Sequence, residues 1–159
     1  MAKKEKAKGD RLAGPISHAR AVPIGDYGFL SDGEVSALVA PGGTVDWMCV
    51  PRFDSPSAFG AILGRRAGTF RVAPVDITVP AARRYLPGTM ILETSWATAT
   101  GWIIVRDALL VGPWHHQDDR SLTYRRTPND YEAEHILLRT VRCVSGEVQT
   151  VMDLSLIHI

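Results

Sequence analysis

The sequence has few cysteines, no lysine beyond its start and no long apolar run, and each scarcity narrows the class of protein. Its two cysteines, Cys49 and Cys143, lie far apart and outside any CxxC spacing, so neither a zinc site nor a redox pair is indicated. No run approaches the ~20 apolar residues of a membrane-spanning helix, and no apolar segment follows the basic start as in a signal peptide. We therefore expect a soluble, cytoplasmic protein with two buried thiols, a disulfide between them being the open alternative.

Lysine occurs only in the first eight residues, as Lys3, Lys4, Lys6 and Lys8. The first eleven residues carry a net charge of +3 against +1 for the whole chain, which leaves −2 for the remainder. A basic arm of this kind can contact nucleic acid or an anionic surface. Because no aromatic or second basic patch accompanies it, we favour a disordered basic tail over 1–14, with no nucleic-acid or membrane partner.

Glycine and aspartate punctuate the apolar runs of residues 24–64. Asp32 can bond neighbouring backbone amides, and Gly33 suits a position with positive φ, so tight turns are expected at the start of the domain. Two apolar runs, 34–40 and 45–50, flank a Pro-Gly-Gly-Thr turn. This arrangement predicts a β-hairpin.

A short amphipathic helix is predicted over 56–63. Ser55 is a typical N-cap, and the proline that follows suits the first helical position. Apolar residues recur at i, i+3 and i+4, and a glycine stands where the helix is expected to end: Phe59, Ile62, Leu63 and Gly64.

Beyond residue 64 the pattern is that of strands. Alternating polarity, β-prone composition and intervening turns mark six candidates, of which the last four form two predicted hairpins: 69–73, 76–79, 90–97, 102–111, 136–144 and 148–153. At 159 residues and 45% hydrophobic content, the chain can bury the core of one domain. We predict a mainly β protein, an antiparallel β-sandwich with one short helix.

A polar stretch over 112–134 separates the last two predicted hairpins. It gathers potential metal ligands: His115, His116, Asp118 and Asp119. Adjacent histidines on an extended backbone point to opposite sides, so they rarely chelate one ion together. We expect a solvated loop whose carboxylates pair with nearby arginines, and no metal site. The isolated His18 and His135 are expected to be structural.

Six short motifs occur in a fixed order along the chain: IGDYG at 24–28, VDW at 45–47, PRFDSP at 51–56, RRYLPGT at 83–89, LET at 92–94 and HILLRTVRCV at 135–144. Together they resemble the amino-terminal domain of the bacterial trehalases and glucoamylases of glycoside hydrolase family 15. The resemblance spans roughly residues 22–153. Several separated motifs in the same order are more specific than one short match.

The resemblance implies a hydrolase whose catalytic part is missing here. In that family the sandwich packs against a larger carboxy-terminal (α/α)6 barrel, which carries a general acid and a general base. Inverting hydrolysis needs two carboxyl groups about 6.5–9.5 Å apart. None of the six glutamates falls in a motif that we would assign to this pair: Glu5, Glu34, Glu93, Glu132, Glu134 and Glu147. We expect a fragment with no catalytic residue and no cofactor, whose partner is the barrel of the same polypeptide and whose parent acts on trehalose or a related α-glucoside.

Three residues are candidates for contact with sugar: Trp47, Arg52 and Asp54. An aromatic face can stack on a pyranose, and a guanidinium and a carboxylate can bond its hydroxyls. The alternative is that Trp47 is a core residue, that Arg52 and Asp54 pair locally, and that their loop supports the barrel.

The final residues 154–159 carry a separate signal. LSLIHI is the translation of CTG TCT CTT ATA CAC ATC, the start of a transposon-end adapter used for sequencing libraries. We therefore interpret 15–153 as the domain and 154–159 as an adapter artefact, against the alternative of a natural strand. For the function, the alternative to a truncated hydrolase is a stand-alone β-sandwich that binds carbohydrate or another protein.

Overall fold

The structure, a computed structural model, describes residues 22–64, 67–110 and 135–156. Within these ranges a 3-10 turn at Ile24–Asp26 precedes ten strands. The strands are β1 (Gly28–Ser31), β2 (Ser36–Val39), β3 (Thr44–Cys49), β4 (Ser57–Phe59), β5 (Thr69–Pro74), β6 (Ala82–Tyr85), β7 (Leu92–Ala97), β8 (Gly101–Leu109), β9 (Leu137–Gly146) and β10 (Thr150–Ser155). No helix in this part of the chain is long and apolar enough to cross a membrane.

The strands form two antiparallel sheets, which confirms the predicted sandwich. The first sheet has the order β1-β2-β3-β5-β10, with β4 paired to β3, and the second has the order β6-β7-β8-β9. Residues from both sheets share one apolar cluster, in which Leu30 and Val45 of the first sheet meet Leu92 and Leu109 of the second. A second cluster around Trp96 continues the core.

The predicted hairpin at the start of the domain is confirmed as β2 and β3. Their turn depends on Gly43, which has φ +80°. A Cβ at this position would overlap the carbonyl oxygen of Val72 and would lie 3.2 Å from Cβ of Ala73. Glycine is therefore required both by the backbone angle and by the close approach of β5.

The alternating segment 90–97 and the β-prone run after it are confirmed as the hairpin β7–β8. Opposite residues in an antiparallel pair share a face. Trp96 faces Ile103 and Thr94 faces Val105, and all four side chains are buried in the core.

The predicted helix over 56–63 is wrong. Ser57–Phe59 is strand β4, in which Phe59 pairs with Met48 and is buried in the core. Ile62 and Leu63, which were to complete the apolar helical face, are exposed in the turn that follows. Pairing with the free edge of β3 satisfies the backbone and buries Phe59, and this tertiary gain outweighs a local helical preference of less than ~1 kcal/mol per residue.

The predicted hairpin over 136–153 is wrong in its pairing. Both strands exist, but β9 pairs with β8 and β10 pairs with β5, so the connection at 147–149 crosses from one sheet to the other. A short turn signal shows where the chain reverses and does not show which strand it meets.

Two further strand predictions differ from the structure. Segment 76–79 has no strand, although Ile77 packs against the core from an irregular segment. Strand β6, which was not predicted, contains consecutive arginines and lacks apolar alternation. Its arginines make polar contacts with other strands: Arg84 pairs with Glu93 of β7, and Nη2 of Arg83 donates to the carbonyl oxygen of Val39.

The cysteine prediction is half right. Cys49 is buried, but Cys143 on β9 is exposed, and both thiols are free. The basic tail 1–14, the loop 112–134 and His18 lie outside the described residues. Strand β10 includes Leu154 and Ser155, whose backbone pairs with β5. Because backbone pairing does not depend on side-chain identity, the adapter interpretation of 154–159 stays a prediction.

Candidate functional site

Trp47 lies on the outward face of the first sheet. It pairs with Leu38 of β2, which in turn pairs with Phe29 of β1. Val45 and Met48, which flank this position on β3, point into the core. Phe29 is exposed, and Leu38 and Trp47 are half-buried. The three side chains therefore form an apolar row that is open to the outside of the sandwich.

Arg52 and Asp54 lie together in the loop that follows β3. Nη2 of Arg52 is 3.1 Å from Oδ2 of Asp54, and the side chains are 70% and 53% exposed. The loop is closed by Ser55, whose amide donates to the carbonyl oxygen of Arg52 at 3.0 Å. A guanidinium and a carboxylate exposed in this way can donate to and accept from the hydroxyls of a sugar. The structure thus brings Arg52 and Asp54 together, whereas Trp47 belongs to the row with Leu38 and Phe29.

The IGDYG and VDW motifs meet through a hydrogen bond that sequence reasoning missed. The hydroxyl of Tyr27 donates to Oδ2 of Asp46 at 2.9 Å. Burial, with a smaller contribution from the Asp46 carboxylate, raises the pKa of Tyr27 to about 12. Burial also raises the pKa of Asp46, against the lowering effect of the hydrogen bond from Tyr27. The presence of both residues in motifs was the available signal, but their spacing of 19 residues gave no reason to pair them.

Glu93 is buried between two arginines on the outward face of the second sheet. Arg84 donates to Oε1 at 2.7 Å and Arg106 donates to Oε2 at 2.8 Å. The hydrogen bonds from Arg84 and then Arg106 lower the pKa of Glu93 below its ordinary value. A general acid must carry a proton near neutral pH. Glu93 is therefore held as an anion, which suits a structural ion pair and not proton donation.

His135 links the start of β9 to the turn between β1 and β2. Its Nδ1 is 2.8 Å from Oδ2 of Asp32, while Oδ1 of Asp32 accepts hydrogen bonds from the amides of Glu34 and Val35. Burial acts to raise the pKa of Asp32, but the hydrogen bonds from Val35, His135 and Glu34 outweigh it and lower the pKa. The Asp32 carboxylate thereby fixes both the turn and the histidine.

Within the part of the chain that the structure describes, neither metal-ligand geometry nor the open groove described below points to a further site. Over residues 22–64, 67–110 and 135–156, no group of three or more histidine, cysteine, aspartate or glutamate side chains could hold a metal ion. The histidine pair of the 112–134 loop lies outside these ranges. An open groove of about 680 Å³ is lined by residues of three connections, 74–77, 98–100 and 147–149. It contains no aromatic side chain and none of the three predicted sugar-contacting residues.

The sequence matches a family model described as trehalase-like, N-terminal, over residues 14–112, which is more than half of the chain. The chain belongs to this trehalase-like N-terminal family. The residues of the outward row, the Arg52–Asp54 pair and the Tyr27–Asp46 pair all fall within the match. The sequence resemblance to the amino-terminal domain of trehalases is therefore confirmed.

Curated relatives of this trehalase-like domain are much longer proteins. The chain is 65% identical over 141 residues to the trehalase of Mycolicibacterium smegmatis, covering 89% of this chain and 21% of that protein. It is 64% identical over 131 residues to the trehalase of Mycobacterium tuberculosis, covering 82% and 19%. Trehalase 1 of Sulfolobus acidocaldarius is 36% identical over 85 residues, covering 54% and 15%. The chain thus spans about a fifth of the length of its first two relatives. No solved structure matches it.

Proposed function

We propose that this chain is the amino-terminal part of an enzyme that hydrolyses trehalose, and that it supports a catalytic part located elsewhere in the polypeptide. The observation that carries the proposal is the 65% identity, over 89% of the chain, to a trehalase of which the chain covers only 21%. This relationship favours a part of a hydrolase over a stand-alone binding module. The finer placement, an inverting enzyme of glycoside hydrolase family 15 with an (α/α)6 barrel, belongs to the same proposal.

The carboxylates of the sandwich support a non-catalytic role. Cleavage with inversion needs one protonated and one ionised carboxyl group on opposite sides of the glycosidic bond. Glu93 is kept ionised by Arg84 and Arg106, and Asp107 is buried in an ion pair with Arg139. Asp46 has a raised pKa, but its carboxylate is engaged by Tyr27. None of these groups stands free opposite a second carboxyl group that could complete the reaction.

Within the proposed enzyme, the loop after β3 supplies contacts to the substrate. Arg52 and Asp54 form an exposed ion pair. A sugar hydroxyl can therefore hydrogen-bond to both side chains, and no buried ion pair has to be broken. Trp47 lies half-buried on β3, the strand that leads into this loop, and its aromatic ring is the proposed stacking surface. The substrate is then an α-glucoside bound between this loop and the catalytic part.

A chimera tests the proposal. The matched fifth of the Mycolicibacterium smegmatis trehalase is replaced by residues 14–153 of this chain, and glucose release from trehalose is measured with maltose as the comparison substrate. We expect the chimera to hydrolyse trehalose within about tenfold of the parent enzyme, a change of about 1.4 kcal/mol in the barrier, because the exchanged part is 65% identical and is proposed to carry no catalytic residue. The unmodified 159-residue chain is expected to release no glucose. A folded chimera without activity, or hydrolysis by the chain alone, would contradict the proposal.

A further inference from the structure

The two sides of the sandwich differ in whether side chains bridge the edge strands of the two sheets. On the side of β1 and β6, polar side chains of β6 bridge the sheets. Arg83 donates to the carbonyl oxygens of Asp26 at 2.6 Å and Val39 at 2.8 Å. The hydroxyl of Tyr85 accepts from the amide of Phe29 at 2.7 Å and donates to its carbonyl oxygen at 2.9 Å. This side is closed.

The opposite side is formed by β9 and β10, and it is open. Each strand is the last in its sheet, and the short connection at 147–149 keeps the two edges next to each other. A sheet edge presents unpaired amides and carbonyls, and natural proteins cover or charge such edges. In this sandwich the two edges adjoin with no described strand beyond either of them.

The inward-facing side chains of these edges are exposed although their partners are core residues. Val141 pairs with buried Val105 and is 47% exposed, and Met152 pairs with buried Val72 and is 75% exposed. Cys143, which pairs with buried Ile103, is exposed as well. Because paired residues share a face, the apolar interior continues onto β9 and β10, and within ranges 22–64, 67–110 and 135–156 these side chains stay exposed. The exposed apolar residues at inward-facing positions of the two strands, here called the open face, are Val141, Cys143 and Met152.

We infer that the open face is where the polypeptide that follows β10 in the full-length trehalases packs, as β-strands that extend both sheets. The inference rests on the proposed function, which makes this chain the first part of such a protein. The matched relatives carry about four fifths of their length outside the match, so proteins of this kind contain enough further polypeptide to cover the face. Strand β10 is the described strand nearest in sequence to that segment, and its inward face is the most exposed. Strands are the expected form because an added strand pairs with the amides and carbonyls of the edge while its alternate side chains cover the apolar face.

Cysteine labelling in the full-length polypeptide tests whether the open face is covered. The chimera described above is made with Met152→Cys, and the labelling rates of this thiol and of native Cys143 are measured by peptide mass spectrometry. Val79→Cys is the matched control, because Val79 is 76% exposed and lies outside β9 and β10. We expect both open-face thiols to react at least about tenfold more slowly than the control, since a covered position reacts only through local opening. Equal rates would overturn the inference.

A photo-crosslink identifies what covers the face. Met152 is replaced by p-benzoylphenylalanine in the chimera, and the crosslinked peptides are sequenced. Crosslinks to residues that follow β10 in the same chain support the inference. Crosslinks between two copies, with a dimer in light scattering, would overturn it in favour of self-association, and so would the absence of crosslinks. Because neither readout uses trehalose, a covered face in an inactive chimera would separate this inference from the proposed function.

Discussion

Arg139 and Asp107 form a buried ion pair between neighbouring strands of the second sheet. Nε of Arg139 is 2.8 Å from Oδ1 of Asp107, and the side chains are 3% and 1% exposed. Arg139 belongs to β9 of the second sheet, yet it also donates to the carbonyl oxygens of Phe70 and Gly43 in the first sheet. Its guanidinium carbon lies 4.9 Å from the centroid of the Phe70 ring. The Arg139 side chain therefore donates to one carboxylate and two backbone carbonyl oxygens and also lies against one aromatic ring, and these contacts connect the two sheets.

Removal of this arginine is expected to destabilise the chain strongly. Arg139→Ala leaves Asp107 as an uncompensated buried charge and should lower the free energy of unfolding by about 3–5 kcal/mol. The control is Arg142→Ala, on the same strand but exposed, which should change the free energy by less than about 0.5 kcal/mol. Urea denaturation followed by tryptophan fluorescence measures both. Replacement of the pair together, Arg139→Met with Asp107→Leu, should cost less than Arg139→Ala alone, and a larger cost would contradict this account.

The Glu93 ion pairs should make stability depend on acid pH. Arg84 and Arg106 lower the pKa of Glu93 below its ordinary value of 4.5 in the folded state. Its contribution is therefore present above pH 4.5 and is lost as the pH falls through the folded-state pKa. Glu93→Gln should lower the melting temperature at pH 7, and the deficit should shrink as the pH falls below the folded-state pKa. Glu147→Gln, at an exposed position, is the control. Asp32, whose pKa is also lowered, is present in every variant, so the difference between the two curves isolates Glu93. A constant deficit at all pH values would refute the prediction.

Gly43 should not tolerate a side chain. Its φ of +80° is a backbone conformation that residues with a Cβ rarely adopt. An added methyl group would also overlap the carbonyl oxygen of Val72. Gly43→Ala is expected to cost about 2 kcal/mol or more. Gly25→Ala meets no atom within 4 Å and is the matched control. Thermal unfolding of the two variants compares them directly, and equal melting temperatures would show that β5 can move away from the turn.

Alanine variants of Arg52 and Asp54 distinguish a role in substrate binding from a role in stability. An exposed ion pair contributes only about 0–1 kcal/mol, so Arg52→Ala or Asp54→Ala in the full-length enzyme should leave the melting temperature nearly unchanged. If the pair binds trehalose, loss of a charged hydrogen bond should reduce kcat/KM by about tenfold or more. Asp76→Ala, at an exposed carboxylate in another loop, is the control. Lost stability with unchanged kcat/KM would instead assign the loop to support of the catalytic part.

The adapter interpretation of 154–159 makes a genomic prediction. Resequencing across the codon for Asp153 should replace LSLIHI by a different continuation that leads into the remaining length of a trehalase. An uninterrupted genomic reading through Leu154 to Ile159, followed by a stop codon, would reject the artefact.

Local pattern was enough for the elements whose partners are adjacent in sequence. The hairpins β2–β3 and β7–β8 could be predicted because a turn signal and polarity alternation are local, and the Asp32 turn could be predicted from the residue types alone. The helix over 56–63 failed because the apolar spacing carries no information about the edge of β3, with which Ser57–Phe59 pairs. The pairing of β9 with β8 and of β10 with β5 depends on strands far apart in sequence, which no turn signal encodes.

In the candidate site too, contacts between residues close in sequence were predictable and contacts between distant residues were not. Trp47, Arg52 and Asp54 were found from residue type, and the Arg52–Asp54 contact spans two residues. The Tyr27–Asp46, Asp32–His135 and Asp107–Arg139 contacts span 19, 103 and 32 residues, and their partners could not be identified without the fold.

The sequence by itself determined the family, the sandwich class and the local turns, because motifs, alternation and glycine or aspartate positions act over a few residues. Only the tertiary structure decided which strands pair, which charges are buried together and which side of the sandwich is open. Those properties depend on contacts between segments that are distant in the chain, and the free energy of burial that selects them exists only when both segments are in place.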